Sequence, residues 1–349
     1  MLSFDPDKIV LPAGHFINGQ HLTGNGTVLT VNRPSDGQRA ADLFEADAAL
    51  VDDAVTRADL AVRDSGWASC PPRQRGAVLH RWADLIAADP LLAQLESLGS
   101  TRPIYDVVNH EIPFTAEAIR FYAECADKYS GDVLPTRDAS LGMLVPEPYG
   151  VIGAITPWNF PLSMASWKCG PALAAGNAVV LKPSELTPFS TVRMAELAIQ
   201  AGLPAGVLNI IQGGGAVTGS ALVAHPLVRK VSFTGSTATG ARIMSDAAFN
   251  GMKPVTLELG GKSPQLVFDD CGDIDDVAGR ILRGFTANGG QACVAGTRLI
   301  VQRGIHDALM SKLIELCQGF RAGVTWDEAS RYAPMICLLY TSDAADEED

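Results

Sequence analysis

Between Val151 and Phe233, short apolar runs alternate with stretches of helical spacing. Val151-Ile152-Gly153-Ala154-Ile155 reads as a buried strand, and a helical segment at 163–175 leads to a second strand at Ala178-Val179-Val180-Leu181. A helix at 191–201 leads to Leu208-Asn209-Ile210-Ile211, and a shorter one at 219–224 leads to Lys230-Val231-Ser232-Phe233. Strands that are apolar throughout and joined by helices build right-handed crossover units. The result is a parallel sheet with both faces covered, so the expected class is α/β. Few other folds accommodate such a pattern.

The flanking segments are less regular. Phe16-Ile17-Asn18-Gly19-Gln20 followed by Thr27-Val28-Leu29-Thr30-Val31 reads as a short β-hairpin. Helical spacing marks 46–55, 74–88 and 114–130, and 131–147 holds two short extended pieces around a turn. Pro254-Val255-Thr256-Leu257-Glu258 and Gln265-Leu266-Val267-Phe268 begin a further α/β region. A length of 349 residues suits two domains, at roughly 150 residues each.

Composition narrows the function. The net charge is −12 and Lys and Arg form no cluster, so a nucleic-acid footprint is absent. No apolar run reaches the ~20 residues that cross a bilayer. The first residues carry no basic segment followed by an apolar one, so no secretory signal is expected. The seven Cys form no CxxC pair and are odd in number, which points to a reducing, cytoplasmic setting. The six His show neither HxxxH nor HExxH spacing, and no protein-held metal is expected.

Four polar or glycine-rich segments fall just after the strands, where ligands gather in such sheets. They are Thr156-Pro157-Trp158-Asn159-Phe160-Pro161, Lys182-Pro183-Ser184-Glu185, Gly213-Gly214-Gly215 and Thr234-Gly235-Ser236-Thr237. The last opens a helix expected to end near Met244. A Gly-Ser turn at a helix start offers N–H groups and a favourable dipole to a phosphate. Lys182 and Glu185 suit the hydroxyls of a ribose. Each segment alone also reads as an ordinary turn, and no GxGxxG is present; Gly235 to Gly240 is a GxxxxG. Further on, Cys293 stands among small residues in Gly290-Gln291-Ala292-Cys293, downstream of Glu258-Leu259-Gly260-Gly261-Lys262. A thiolate can attack an electrophilic carbon, and a carboxylate can activate the water that releases the product. A carboxylate that acts as general base is expected to be buried.

In this order, the segments resemble the NAD(P)-dependent aldehyde dehydrogenase superfamily, from about Phe16 to Ile336. The resemblance implies a Rossmann-like NAD-binding domain (1–129 and 148–257) and part of an oligomerisation flap (130–147). It also implies an incomplete α/β catalytic domain (258–336). It implies Cys293 as nucleophile, Asn159 with the Cys293 N–H as oxyanion hole, Glu258 as base for water and Lys168 in proton relay. It assigns the dinucleotide to Ile155, Thr156, Pro157, Trp158, Asn159, Lys182, Ser184, Glu185, Gly215, Phe233, Thr234, Gly235, Ser236 and Leu259. Glu185 would accept from a ribose 2′-OH and repel a 2′-phosphate, which favours NAD, with NADP as the alternative. The implied partners are a small aldehyde and further copies of the chain, as dimer or tetramer.

The resemblance stops at Ile336. The family's Glu-Ile-Phe-Gly-Pro-like segment is absent, as is the last strand of the flap. Back-translation of Cys337 to Glu347 resembles a transposase adapter used in sequencing libraries, so 337–349 is expected to be foreign to the gene. Such a chain would leave a sheet edge and apolar surface uncovered. Two alternatives therefore stand beside hydrolytic aldehyde oxidation. One is an inactive or binding-only fragment, and the other is acyl transfer to coenzyme A.

Overall fold

The computed structural model describes residues 2–332 and 334–336; the tail at 337–349 lies outside the described residues. His15–Ile17 (β1) turns at Asn18-Gly19 onto Gln20–Leu22 (β2). Both turn residues have positive φ, 52° and 75°, the geometry of a two-residue hairpin matched to strand twist. This corrects the expected partner of Phe16-Ile17. Val28–Asn32 (β3) pairs instead with Arg39–Phe44 (β4) in a separate ribbon. The Asn-Gly step closes the first hairpin before residues 27–31 are reached.

Helices Ala48–Asp64 (α1), Pro72–Ala88 (α2) and Pro90–Gly99 (α3) follow, then the short Ile104–Asp106 (α4), a π turn at Val107–Glu111, and Ile112–Cys125 (α5). The Asp47 carboxylate caps α1 by accepting from Leu50 N–H at 2.9 Å. Val51, Ala54, Val55, Ala58 and Val62 form its buried stripe. The sequence reading has no counterpart to α3. Its signal is Asp89-Pro90: the Asp89 carboxylate accepts from Leu91 and Leu92, and Pro90 takes the first helical position. Helix α5 stops short of the expected Ser130. Asp132–Leu134 (β5) and Gly142–Leu144 (β6) form the exposed hairpin expected in 131–147.

The central layer follows the alternation seen in the sequence. It runs Val151–Ile155 (β7), Pro161–Ala174 (α6), Ala178–Lys182 (β8), Phe189–Gln200 (α7) and Leu208–Ile210 (β9). Then come Ser220–Ala224 (α8), Val228–Gly235 (β10), Thr237–Phe249 (α9) and Val255–Leu259 (β11). The sheet order is β11-β10-β7-β8-β9-β1-β2, with β7 to β11 mutually parallel and β1 antiparallel to β9. Every residue of β7, β8 and β9 is buried, as a sheet covered on both faces requires. On one face of the sheet α2 packs on α7 through Trp82, fully buried, whose indole N–H donates to the Met194 carbonyl at 2.9 Å.

Strand order reverses between β7 and β10, which makes this the topological switch point of the sheet. Beyond β11, Pro264–Val267 (β12) and Arg298–Val301 (β13) pair in parallel. Ile274–Thr286 (α10) and His306–Cys317 (α11) cover one face of this pair around Val267, Ile281, Leu282, Leu309 and Leu313. Leu266 and Ile300, on the other face, are exposed.

Candidate active site

Sheet register brings the motifs into one row. Lys182 pairs with Ile155, Ile155 with Phe233 and Phe233 with Leu257; one step further, Thr234 pairs with Glu258. The segments that follow these strands therefore leave the sheet side by side, at the carboxyl ends flanking the switch point. They wall a cavity of about 880 Å³, large enough for an extended cofactor.

Ile155, Thr156, Pro157, Trp158 and Asn159 line this cavity, with Lys182, Ser184, Glu185 and Gly215. Phe233, Thr234, Gly235, Ser236, Leu259, Glu258 and Cys293 complete the expected set. Lys168 is the exception. It lies buried on α6, behind the wall, and its ammonium donates to Ser232 Oγ at 3.1 Å. Alternation along parallel strands puts Ser232, Thr234 and Glu258 on the same sheet face, so Lys168 approaches the face that carries Glu258. Burial lowers the Lys168 ammonium to about 8, and the charge of Glu258 opposes that shift.

Glu258 is exposed, which corrects the expectation of a buried carboxylate. The reason is tertiary: β11 is the edge strand, and its residues alternate between half-buried and exposed. Cys293 is exposed too, in a turn beside the Gly260-Gly261 step. A Cβ on Gly261 would lie 3.7 Å from the Cys293 carbonyl oxygen. Asn159 is tied to the same loop, because its side-chain amide donates to the Gln291 carbonyl at 2.7 Å.

The end of the cavity at Lys182 is partly committed internally. Lys182 Nζ donates to the Pro183 and Gly213 carbonyls, each at 2.7 Å, and stands 3.6 Å from the Glu185 carboxylate. Two hydroxyls on the cavity wall, those of Thr156 and Thr234, are buried without a hydrogen-bond partner among the described residues. Buried hydroxyls left unpaired are costly, and their position suits a polar ligand. Ser236 caps α9, accepting from Thr239 N–H at 3.2 Å, so the positive end of that helix opens at the cavity.

Other lining residues escaped the sequence reading. Thr239, Arg242, Ile243 and Asp246 continue one face of α9 from Ser236. Their helical period was visible, but the helix reaches Phe249 rather than ending near Met244. Met164, Phe285 and Met335 add apolar wall from α6, α10 and the last described segment, and no local pattern marks them. Among the described residues no group of three His, Cys, Asp or Glu side chains could hold a metal ion.

The fold and site thus define an α/β protein with a nucleotide-sized cleft at its switch point, where a thiol loop meets a carboxylate-bearing strand. The chain belongs to the aldehyde dehydrogenase family, whose family model matches residues 21–338. It is 43% identical to the NADP/NAD-dependent aldehyde dehydrogenase PuuC of Escherichia coli, over 92% of this chain and 65% of that protein. It is 42% identical to the aminoacetaldehyde dehydrogenase of Pseudomonas aeruginosa, over 93% of this chain and 66% of that one. The chain therefore spans about two thirds of the length of these curated relatives. Among solved structures, an indole-3-acetaldehyde dehydrogenase complexed with NAD+ superposes with a TM-score of 0.93 at 37% identity. That match covers 98% of this chain and 71% of the other. The aldehyde dehydrogenase KauB from Pseudomonas aeruginosa gives a TM-score of 0.94 at 36% identity, over 98% and 70%.

Proposed function

We propose that this chain carries the site of an NAD(P)-dependent aldehyde dehydrogenase, which converts an aldehyde to a carboxylic acid. The observation that carries the reading is the convergence of Cys293, Glu258 and Asn159 on one cavity with the unpaired Thr156 and Thr234 hydroxyls. The residues fit a dinucleotide. The start of α9 suits its pyrophosphate, while Glu185, with Lys182 beside it, suits the adenine ribose. The Glu185 carboxylate disfavours a 2′-phosphate, so NAD is the preferred form and NADP the alternative.

Cys293 attacks the aldehyde carbon as its thiolate. The oxyanion that forms accepts from the free Asn159 N–H and the Cys293 backbone N–H. A dinucleotide held by Lys182, Glu185 and the start of α9 would supply the hydride acceptor by which the Cys293 thiohemiacetal becomes a thioester. Glu258, open to solvent on the edge strand, takes a proton from the water that attacks the thioester carbon. The C–S bond then breaks, and the carboxylic acid leaves Cys293. Lys168, on the same sheet face, passes the released proton onward.

Residues 1–129 and 148–257 form the dinucleotide-binding part in this reading, and 258–336 belong to the catalytic part. The hairpin within 130–147 exposes Val133 and Met143, which supports a role in pairing with further copies of the chain. The decisive experiment compares wild type with Cys293→Ala and Glu258→Gln, using a panel of aldehydes. Cys293→Ala is expected to bind NAD without oxidising aldehyde. Glu258→Gln is expected to give a burst of reduced cofactor and then stall at the thioester. Wild-type rates in either variant refute the assigned role. Product that forms only with coenzyme A would replace hydrolysis by acyl transfer.

A further inference from the structure

A closed ring of hydrogen bonds joins the Asn159 segment to the Cys293 loop, and Asn288 is its hub. The Asn288 amide donates to the Asn159 carbonyl at 2.9 Å. The Gln291 side-chain amide donates to the Asn288 carbonyl at 2.8 Å. The ring closes where the Asn159 amide donates to the Gln291 carbonyl at 2.7 Å. From outside the ring, the Thr101 hydroxyl donates to Asn288 Oδ1 at 2.7 Å. The side chain of Asn288 thus has its donor and its acceptor engaged while the residue is 5% exposed.

Its backbone sharpens the point. Asn288 has φ 52° and ψ 37° and is followed by Gly289 at φ 66° and Gly290 at φ 82°. Left-handed backbone favours glycine, with asparagine the best tolerated alternative. Glycine would meet the backbone requirement at this position as well. What asparagine adds is the pair of side-chain bonds to Thr101 and Asn159.

We infer that Asn288 is a positioning residue that locks the Asn159 segment to the Cys293 loop, braced from behind by Thr101. This rests on the proposed roles of Asn159 and Cys293. Asn288 stands at the start of the Cys293 loop and its amide holds the Asn159 carbonyl, so a shift of Asn288 moves the oxyanion donor and the thiol relative to each other.

The test compares Asn288→Gly and Thr101→Val, singly and together, in the full chain. Asn288→Gly keeps the left-handed turn and deletes both side-chain bonds. Its kcat is expected to fall about a hundredfold, as misplacement of reacting groups does, while KM and NAD affinity stay within about twofold. Thr101→Val alone is expected to lower kcat roughly tenfold and to add nothing in the Asn288→Gly background. Hydrogen exchange is expected to accelerate at 157–160 and 289–294 together in Asn288→Gly. Wild-type kcat in Asn288→Gly, or equal effects of Thr101→Val in both backgrounds, overturns the inference. Acceleration confined to 289–294 overturns it too. If wild type turns over no aldehyde, the functional reading fails for this chain, and the exchange pattern alone decides the role of Asn288.

Discussion

Replacing Lys168 by methionine should make the folded chain more stable at neutral pH, although Lys168 belongs to the proposed machinery. The side chain is 7% exposed, and burial lowers its ammonium from the ordinary 10.5 to about 8. At about 1.4 kcal/mol per pH unit, that gap makes the buried charge cost about 3 kcal/mol at neutral pH. Methionine has a similar length and no charge, but it loses the bond to Ser232, worth ~1 kcal/mol. The net expected gain for Lys168→Met is about 2 kcal/mol near pH 7.

The pH dependence follows from which state holds the proton. Between 8 and 10.5 the unfolded chain binds more protons at this site than the folded chain. The stability of wild type relative to the variant therefore rises with pH across that window, and the full cost is felt below it. By about pH 9.5 the advantage of Lys168→Met should have shrunk by about 2 kcal/mol. Urea unfolding of both proteins at the two pH values reads this directly, because groups unaffected by the substitution cancel in the difference. A methionine variant less stable than wild type near pH 7, or a difference independent of pH, would refute the account of Lys168 as a buried, desolvated amine.

Three further outcomes follow from the geometry. Glu111 caps α6, accepting from Ser163 N–H at 3.0 Å and Ser163 Oγ at 2.6 Å, and it lies 3.8 Å from the buried Arg102; Glu111→Ala should cost about 3–5 kcal/mol in thermal or urea unfolding, and a loss below about 1 kcal/mol would contradict it. Gly19 holds φ 75°, and a Cβ there would meet Ala205 Cβ at 3.3 Å, so Gly19→Ala should destabilise by about 1 kcal/mol, whereas an unchanged unfolding midpoint would argue against the strained turn. Thr234→Val removes a buried hydroxyl with no partner among the described residues; stability should hold or rise by about 1 kcal/mol while NAD binds more weakly in titration calorimetry, and unchanged affinity would remove Thr234 from the cofactor site.

The alternating apolar runs from Val151 to Phe233 were enough to read a parallel sheet with helices on both faces. The segments beginning at Thr156, Lys182, Gly213 and Thr234 marked its ligand-bearing end. Both are local properties: periodicity and turn chemistry depend on neighbours within a few residues, and a chain carries them wherever it folds. The Asn18-Gly19 turn was equally local, and its positive-φ chemistry outranks the apolar pattern that pointed toward Thr27–Val31.

What the chain could not show by itself lies in contacts between distant residues. Strand register decides that Thr234 stands beside Glu258, and edge position decides that Glu258 is open to water. The buried state of Lys168 depends on how α6 sits on that sheet. Asn288 looks in sequence like a loop residue before two glycines; only packing brings it to Thr101 and Asn159, 187 and 129 residues away. Periodicity selects the elements and turn residues end them. Burial, register and hydrogen-bond partners depend on surfaces that meet only when the sheet is assembled, and they determine which thiol, amide and carboxylate share one cavity.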